Sequence, residues 1–302
     1  MKAVVVDGTA ARVVSHRSIP QLRDDCVLVK PAAVALNPTD WKHIRNGRAK
    51  DGCILGCDYA GIVLAVGSAV TKPWKPGDRI FGCGHGANIT NQDDGVFAQV
   101  ASVVGDLQMR IPGEMSFAEA ATLGLGSITV GQGLYQKALK LELPSSTTAK
   151  TRENGIPVLI YGGGTATGAL AIQYAKQNFA YVRSLGADHV VDYHDADAGA
   201  QIHELTNNKL KYAWDTVSVE QSANICAKAL TSCSQISPIY GTILPVKSPR
   251  GDVETVSTVM YTVFGKHFKF GSLDMPASQE DFKFGAEFVT LTEELLAQVT
   301  AS

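Results

Sequence analysis

A glycine-rich run follows a short apolar segment near the middle of the chain. The apolar residues at 158–161 lead into Gly162-Gly163-Gly164-Thr165-Ala166-Thr167-Gly168, and a helix-competent stretch follows at 169–176. Glycines lack a Cβ and let the backbone approach a pyrophosphate closely. Unpaired amides at the start of the following helix supply donors and a partial positive charge. This order of residue types predicts that residues 163–168 bind a nucleotide phosphate.

The run departs from the dinucleotide fingerprint at one position. Gly163 and Gly168 occupy the first and last glycine positions, while Thr165 stands where the second glycine is expected. A tight strand-to-helix turn in an α/β fold that binds no nucleotide explains the glycines about equally well. The run alone therefore leaves both interpretations open.

Composition narrows the function classes. The 302 residues are 45% hydrophobic and include 29 glycines, which allows a substantial core and two domains. A net charge of −2 without a basic cluster argues against a nucleic-acid or membrane-surface partner, so a small-molecule substrate is expected. We find no apolar run of membrane-spanning length and no signal peptide before the first apolar segment, and we expect a cytoplasmic location. The six cysteines do not suggest a disulfide framework.

The elements that must position the glycine run change in type along the chain. Apolar or alternating segments at 3–6, 26–34, 61–66 and 96–103 predict a β-rich domain. Ser116 and Glu119 have the spacing of a capping box, which predicts a mostly helical stretch up to about residue 141. Residues 144–154 are rich in Ser, Thr and Lys, and we expect an exposed loop there.

The second half alternates between the two element types. Strands are predicted at 189–193, 212–217 and 235–244, with helices after Gly168 and at 220–230, which favours a parallel sheet. The helix after Gly168 should end near Gln177, and 178–186 predict another helix, so the strand expected between them is missing. We interpret the gap as residues missing from the sequence at hand, because losing an inner strand would cost more than stabilities of ~5–15 kcal/mol can absorb. Residues 291–302 likewise end on a helical pattern without a closing strand.

Five motifs occur in an order that resembles the medium-chain dehydrogenase/reductase superfamily. They are Asn37-Pro38-Thr39-Asp40-Trp41-Lys42 and the segments 55–61, 75–80, 95–98 and 185–188. Within it the chain resembles the zinc-independent fungal branch of ToxD-like proteins and trans-acting enoyl reductases. The resemblance implies an α/β fold with a GroES-like β-rich catalytic domain at 1–125, to which 272–302 return. It also implies a Rossmann domain, a doubly wound parallel sheet, at 126–271, with the active site in a cleft between the domains.

The resemblance also bears on metals. Zinc-dependent relatives carry cysteine, histidine and glutamate where this chain has Asn37, Cys57 and Asp58, and their lobe of four close cysteines is represented by Cys83 alone. We therefore expect no zinc. A residual set of Cys57, Asp58 and His85 matches no standard metal spacing, and Cys57 is better explained as a small buried packing residue.

Without zinc, hydrogen-bond donors must stabilise the oxygen that gains charge during reduction. The resemblance places Thr39, Asp40, Trp41 and Lys42 beside the cofactor, with Lys42 near the nicotinamide ribose. Lys42 and Thr129, which matches a threonine at the domain junction of relatives, are the candidate catalytic residues. Outside that context Lys42 would be a solvated lysine and Thr129 a helix residue bonded to its own backbone.

The resemblance implies NADPH as the cofactor. The turn at 161–168 is similar to the cofactor turn of this branch, and the cofactor-binding residues expected there are Gly163, Gly164, Thr165, Ala166, Thr167 and Gly168. Asn178, the remnant of a Ser-Pro-x-Asn turn, and Tyr193 are expected at the adenosine end; otherwise Tyr193 is an ordinary strand-end aromatic. The aromatic spacing of 260–270 fits either an apolar pocket or a core helix leading to an edge strand.

These observations predict an NADPH-dependent, zinc-independent oxidoreductase. Its substrate would be a small molecule, free or carrier-bound, with either an activated C=C of the enoyl or enone type or a carbonyl or quinone. No conspicuous acid in the sequence chooses between these chemistries. The alternative is a catalytically inactive NADPH-binding sensor or partner protein. We expect a monomer or homodimer.

Overall fold

The computed structural model describes residues 1–143, 156–177 and 187–300. They form two compact units, Met1–Leu125 with Tyr261–Ser302, and Gly126–Met260. The chain thus returns to the first unit at Tyr261, eleven residues before the position expected from the sequence. The predicted loop at 144–154 and the candidate residue Asn178 lie outside the described residues.

The described elements are thirteen strands and seven α-helices. The strands are β1 (Ala3–Asp7), β2 (Ala10–Val14), β3 (Cys26–Ala35), β4 (Asp58–Val66), β5 (Arg79–Cys83), β6 (Ala101–Val104), β7 (Met109–Arg110), β8 (Val158–Tyr161), β9 (Tyr212–Asp215), β10 (Ile239–Thr242), β11 (Glu254–Ser257), β12 (Phe268–Phe270) and β13 (Leu273–Met275). The helices are α1 (Pro38–Arg45), α2 (Phe117–Ala120), α3 (Gly124–Val130), α4 (Ala166–Gln177), α5 (Ala198–Leu205), α6 (Glu220–Ala229) and α7 (Gln279–Thr300). A π-helical segment, Gly131–Gln136, follows α3.

The first unit is built on a five-stranded antiparallel sheet in the order β6-β3-β4-β5-β7. Alternating apolar residues of β3 and β4, such as Val29, Tyr59 and Val63, are buried in its core. The register pairs Ala35 with Asp58 and Asp58 with Cys83. This pairing brings the start of α1 beside Asp58.

Two sequence predictions for the first unit have different outcomes. The capping box is confirmed, because the Ser116 N–H donates to Glu119 Oε2 at 2.9 Å and the Glu119 N–H donates to Ser116 Oγ at 3.2 Å. The predicted strand at 96–103 is wrong in its first half, since β6 begins only at Ala101. The amides of Val96 and Phe97 instead donate to the carbonyls of residues 56 and 55.

The second unit contains a parallel sheet in the order β11-β10-β9-β8. Its strand–helix alternation confirms the predicted parallel arrangement. The predicted strand at 189–193 is wrong, because the described residues of that segment form no strand. Within the described part of the chain β8 pairs with β9 alone, so a strand at 189–193 has no described strand beside it to complete a ladder.

The missing-strand prediction concerns residues 178–186, which lie outside the described residues, so it stays a prediction. The helical pattern predicted at 291–302 is confirmed up to Thr300, where α7 ends. Across the described ranges, no helix combines the length and apolar character needed to cross a membrane.

The aromatic segment 260–270 forms a 3₁₀-helix, Met260–Phe264, followed by β12. Met260, Tyr261, Phe264 and Phe268 are all buried. The imidazole of His85 stacks on Tyr261 and Phe264, with ring centroids 4.2 and 5.5 Å apart. Of the two interpretations left open, the structure favours core packing, and this packing explains why the chain rejoins the first unit at Tyr261.

Candidate functional site

The glycine run forms a tight turn between β8 and α4. Gly162 has a φ of +83°, and a Cβ there would lie 2.5 Å from the hydroxyl oxygen of Thr216. The parallel register places Tyr161 beside Asp215, so the turn lies next to the end of β9. The positive φ and the close approach explain why the first turn residue is glycine.

Thr165 has a defined role in this turn. Its Oγ1 accepts the Gly168 N–H at 2.9 Å and lies 2.9 Å from Thr216 Oγ1. The Thr216 hydroxyl donates to the Tyr161 carbonyl at 2.8 Å, so the Thr165 hydroxyl must donate to Thr216. The threonine that replaces the fingerprint's second glycine therefore satisfies one of the free amides of α4 and ties the turn to β9.

The backbone of the turn has open space beside it at Gly163 and Gly164 but not at Gly168. A Cβ at Gly164 would have no heavy atom within 4 Å, and one at Gly163 would meet only Ile172 Cδ1, at 3.1 Å. A Cβ at Gly168 would overlap the Gly162 carbonyl oxygen. The space at 163–164 and the amides that begin α4 fit a pyrophosphate, whereas Gly168 is required by the packing of the turn itself.

The other cofactor candidates of the second unit are less enclosed. Ala166 is exposed and Thr167 half-buried on the first turn of α4. Tyr193 is 50% exposed, and its ring lies 3.9 Å from that of His194 and 6.2 Å from that of Tyr161. It borders an open hollow of about 690 Å³ that Lys228 also lines.

Asp215, a buried carboxylate that sequence reasoning missed, fixes the end of β9. Asp215 accepts the backbone N–H groups of Val217 and Ser218 at 2.9 and 2.8 Å. It also accepts the hydroxyls of Ser222 and Tyr240, at 2.5 and 2.6 Å. Four donors hold this carboxylate, which in turn holds the residues that follow β9 beside the glycine turn.

In the first unit, hydrogen bonds join the residues around the start of α1. The Asn37 N–H donates to Asp40 Oδ2 at 2.8 Å, which closes the first turn of the helix. The Asn37 side-chain amide donates to Asp58 Oδ2 at 2.9 Å, and the Leu125 N–H donates to Asp58 Oδ1 at 2.6 Å. Asn37 and Asp58, two of the three positions that the resemblance relates to metal ligands in zinc-dependent relatives, are thus bonded to each other.

Burial perturbs both acids. Desolvation raises the pKa of Asp40 to about 6, against the opposing effect of the Asn37 N–H and the Cys57 thiol. It raises the pKa of Asp58 to about 7, against the donors from Leu125 and Asn37. The Asp40 carboxylate is 8% exposed and bonded at the helix start, so it positions α1.

The residual metal constellation is buried among aromatic rings. Burial raises the pKa of the Cys57 thiol well above its usual range, and Sγ lies 3.4 Å from the Tyr261 hydroxyl. Burial also lowers the pKa of His85 to about 3. In the described ranges, no three His, Cys, Asp or Glu side chains are grouped to hold a metal ion.

Thr39 lies in a hydrogen-bonded cluster that sequence reasoning missed. Its Oγ1 is 2.7 Å from the Tyr261 hydroxyl and 3.0 Å from His43 Nδ1. Thr39 is half-buried, whereas His43 and Tyr261 are each 4% exposed. The helical spacing of Thr39 and His43 was a usable signal, but no local pattern indicates a contact with a tyrosine 222 positions away.

The two candidate catalytic residues lie on different units. Lys42, on α1, is half-buried, and its Nζ is 5.7 Å from the centroid of the Trp41 ring, which is 49% exposed. The Arg45 guanidinium lies 5.8 Å from the same ring. Thr129 is half-buried in α3. The roles of Lys42 and Thr129 remain predictions.

Similarity to known proteins decides the family. Residues 23–128 match the alcohol dehydrogenase GroES-like domain. The chain is 48% identical over 280 residues to the trans-enoyl reductase TOXD of Cochliobolus carbonum, which covers 88% of this chain and 91% of that protein. The chain belongs to the fungal trans-enoyl reductases of the medium-chain dehydrogenase/reductase superfamily. It is a reductase.

Solved structures confirm the fold class of this trans-enoyl reductase family member. An alcohol dehydrogenase superfamily protein from Novosphingobium aromaticivorans has a TM-score of 0.75 at 23% identity and covers 99% of this chain and 87% of that one. The CurK enoyl reductase has a TM-score of 0.70 at 19% identity and covers 99% and 88%. The GroES-like domain and the Rossmann-like parallel sheet are therefore both confirmed.

A second relative bears on the length of the chain. The trans-enoyl reductase resD of Aspergillus sclerotiorum is 42% identical over 323 aligned positions, covering 98% of this chain and 88% of that protein. The alignment is longer than the 302 residues of the chain. That relative therefore carries residues that have no counterpart here.

Proposed function

We propose that this protein is an NADPH-dependent, zinc-independent reductase of activated C=C bonds. The observation that carries the proposal is the open backbone at Gly163 and Gly164, followed by the amides of α4, in a member of the trans-enoyl reductase family. A nicotinamide cofactor accords with family membership, and one structural neighbour, the quinone oxidoreductase of Escherichia coli, was solved with NADPH. When bound, the cofactor supplies the hydride.

The second unit's residues hold the cofactor by its phosphates. The backbone at 163–164 approaches the pyrophosphate, and the first-turn amides of α4, at Ala166 and Thr167, donate to it. The bonds of Thr165 to Gly168 and Thr216 keep this backbone fixed before the cofactor arrives. Tyr193 offers an aromatic face for the adenosine end, a role it would share with Asn178.

The first unit's residues bind and polarise the substrate without a metal. The Asn37 side-chain amide donates to Asp58 Oδ2. This supports zinc independence, because the carboxylate oxygen that faces Asn37 is already engaged in a hydrogen bond. Lys42 contributes a cation beside the nicotinamide ribose, with Trp41 next to it. Thr39 contributes a hydroxyl to the activating carbonyl oxygen, where charge develops. Thr129 stays the second candidate for this role.

Reduction of C=C rather than C=O is favoured by the activity that the names of the relatives state. A panel of enones, aldehydes and quinones, each with NADPH and with NADH, tests the proposal. We expect turnover with enones and NADPH, and weaker turnover with NADH. Faster reduction of aldehydes would replace the C=C assignment, and cofactor binding without consumption of any substrate would indicate a sensor or partner protein.

The form of the substrate is a separate part of the proposal. We propose a small enoyl substrate, free or attached to a carrier, and no nucleic-acid partner. Rates with the same enoyl group as a free thioester and on a carrier protein distinguish these forms. Sedimentation distinguishes the expected monomer from a homodimer.

A further inference from the structure

The distances around Thr39, together with the donor and acceptor capacity of each group, allow a direction to be assigned to its hydrogen bonds. His43 Nδ1 lies 2.8 Å from the Thr39 backbone carbonyl oxygen. A carbonyl oxygen only accepts, so Nδ1 must carry the proton. Thr39 Oγ1 lies 3.0 Å from the same nitrogen. His43 is therefore a donor to Thr39 and not an acceptor of its hydroxyl proton.

The direction of the Tyr261 bond follows from its two neighbours. The phenol oxygen lies 2.7 Å from Thr39 Oγ1 and 3.4 Å from Cys57 Sγ. Sulfur is a weak acceptor, so the phenol proton goes to the nearer hydroxyl oxygen.

Thr39 consequently finds no acceptor for its own hydroxyl proton among these neighbours. Tyr261 donates to Thr39 Oγ1, and His43 Nδ1, which carries a proton, cannot accept from it. His43 and Tyr261 are buried, while Thr39 is half-buried. The Thr39 proton is therefore available to an acceptor from outside the cluster, such as a bound ligand.

We infer that Tyr261 is a positioning residue that directs the Thr39 hydroxyl, as a hydrogen-bond donor, at the carbonyl oxygen of the bound substrate. This inference rests on the proposed function. A donor already aimed at the oxygen that gains negative charge stabilises the transition state without reorganisation. A hydroxyl that rotates freely about its C–O bond must first be oriented, so it stabilises the transition state less.

Tyr261 is well fixed for this purpose. Its ring stacks on His85 with an interplanar angle of 12° and meets the edges of His43 and Phe268 at centroid distances of 5.6 and 6.2 Å. Such packing holds the phenol oxygen in place independently of its hydrogen bond. Removing the hydroxyl should therefore leave the ring and the fold in position.

The test compares Tyr261→Phe with a matched control, Tyr59→Phe. Tyr59 is a buried tyrosine of the same unit whose hydroxyl donates to Gln108 Oε1 at 2.9 Å. We expect Tyr261→Phe to lower kcat for an enone about tenfold and to leave the calorimetric Kd for NADPH unchanged. The control should lose similar thermal stability and keep the parent's kcat. Parental kcat in Tyr261→Phe would overturn the inference.

A double-mutant cycle shows whether Tyr261 acts through Thr39. Thr39→Val removes the donor, so adding Tyr261→Phe to it should lower kcat no further, whereas Thr39→Ser should retain most of the parent's kcat. Multiplicative losses in the double variant would overturn the inference.

A third measurement does not depend on activity. Nitrogen-15 NMR should report His43 protonated at Nδ1, and a proton on Nε2 alone would refute the assigned bond directions. A parent protein that reduces no enone would refute the proposed function instead, and the NMR result would still test the order of the hydrogen bonds.

Discussion

A matched pair of single methyl additions, Gly164→Ala and Gly168→Ala, separates cofactor binding from folding. Both changes lie in the same turn, but the added Cβ meets different surroundings. At 164 it would enter empty space, and at 168 it would overlap the backbone carbonyl of Gly162. We expect Gly164→Ala to weaken NADPH binding and keep stability, and Gly168→Ala to lower stability first.

The magnitudes follow from these contacts. Relieving an overlap with backbone in a packed turn costs about 1–3 kcal/mol, which lowers the unfolding midpoint on the order of 5 °C for a unit of this size. At 164 the stability change should stay within about 0.5 kcal/mol. A methyl that holds the pyrophosphate away from one amide removes a charge-assisted bond of about 1.5–3 kcal/mol, or about ten- to a hundredfold in Kd.

Thermal unfolding and calorimetric titration with NADPH, on both variants and the parent, measure these quantities. Parental affinity in Gly164→Ala would refute the assignment of the open backbone to the pyrophosphate. A parental midpoint in Gly168→Ala would refute the argument that this glycine is required by the turn. The pair also tests the sequence-based expectation that Gly168 makes room for the cofactor.

Three further predictions concern the first unit. Purified protein should contain no stoichiometric zinc by elemental analysis; one zinc per chain, lost with activity on chelation, would contradict this. Lys42→Met should lower kcat by the equivalent of ~2.7–4 kcal/mol of transition-state stabilisation if Lys42 acts in the transition state. A rise in KM for NADPH alone would assign Lys42 to cofactor binding. Lys50→Met, at an exposed position, is the control. Because the pKa of Asp58 rises from 3.8 to about 7 on folding, the native state binds the extra proton, and the free energy of unfolding should fall as pH rises between those values. Urea unfolding at about pH 5 and pH 7.5 should show this fall in the parent and a smaller one in Asp58→Asn; equal slopes would remove Asp58 as the cause.

Much of the site could be predicted because its signals are local. The glycine turn, the capping box at Ser116 and the α1 motif each occupy fewer than ten consecutive residues, and their geometry depends on neighbours in the sequence. The predicted strand at 189–193 failed for the opposite reason. An apolar pattern indicates that a segment can be a strand, but a strand forms only where another strand lies beside it.

The contacts of Tyr261 show the same limit within the site. Its partners Thr39 and Cys57 are more than 200 positions away. Its own neighbourhood is apolar and aromatic, which left both a pocket and a core position open, and the ring takes the core position. The hydroxyl at its end is nonetheless the group that meets Thr39, and only the fold of the first unit brings the two together.

At the position of the zinc site in metal-dependent relatives, this chain differs in its ligand residues and also in the hydrogen bonds that its own residues form. Restoring a cysteine at Asn37 would remove the amide that donates to Asp58, and leave a buried carboxylate oxygen without that partner. Restoring a histidine at Cys57 would place an imidazole against the Tyr261 hydroxyl, which lies 3.4 Å from the present sulfur. Each single reversion breaks an existing bond before any metal can compensate for it. A stepwise return to a zinc site would therefore be destabilising at each step, and under the proposed function polarisation of the substrate is left to the hydrogen-bond donors, Thr39 above all.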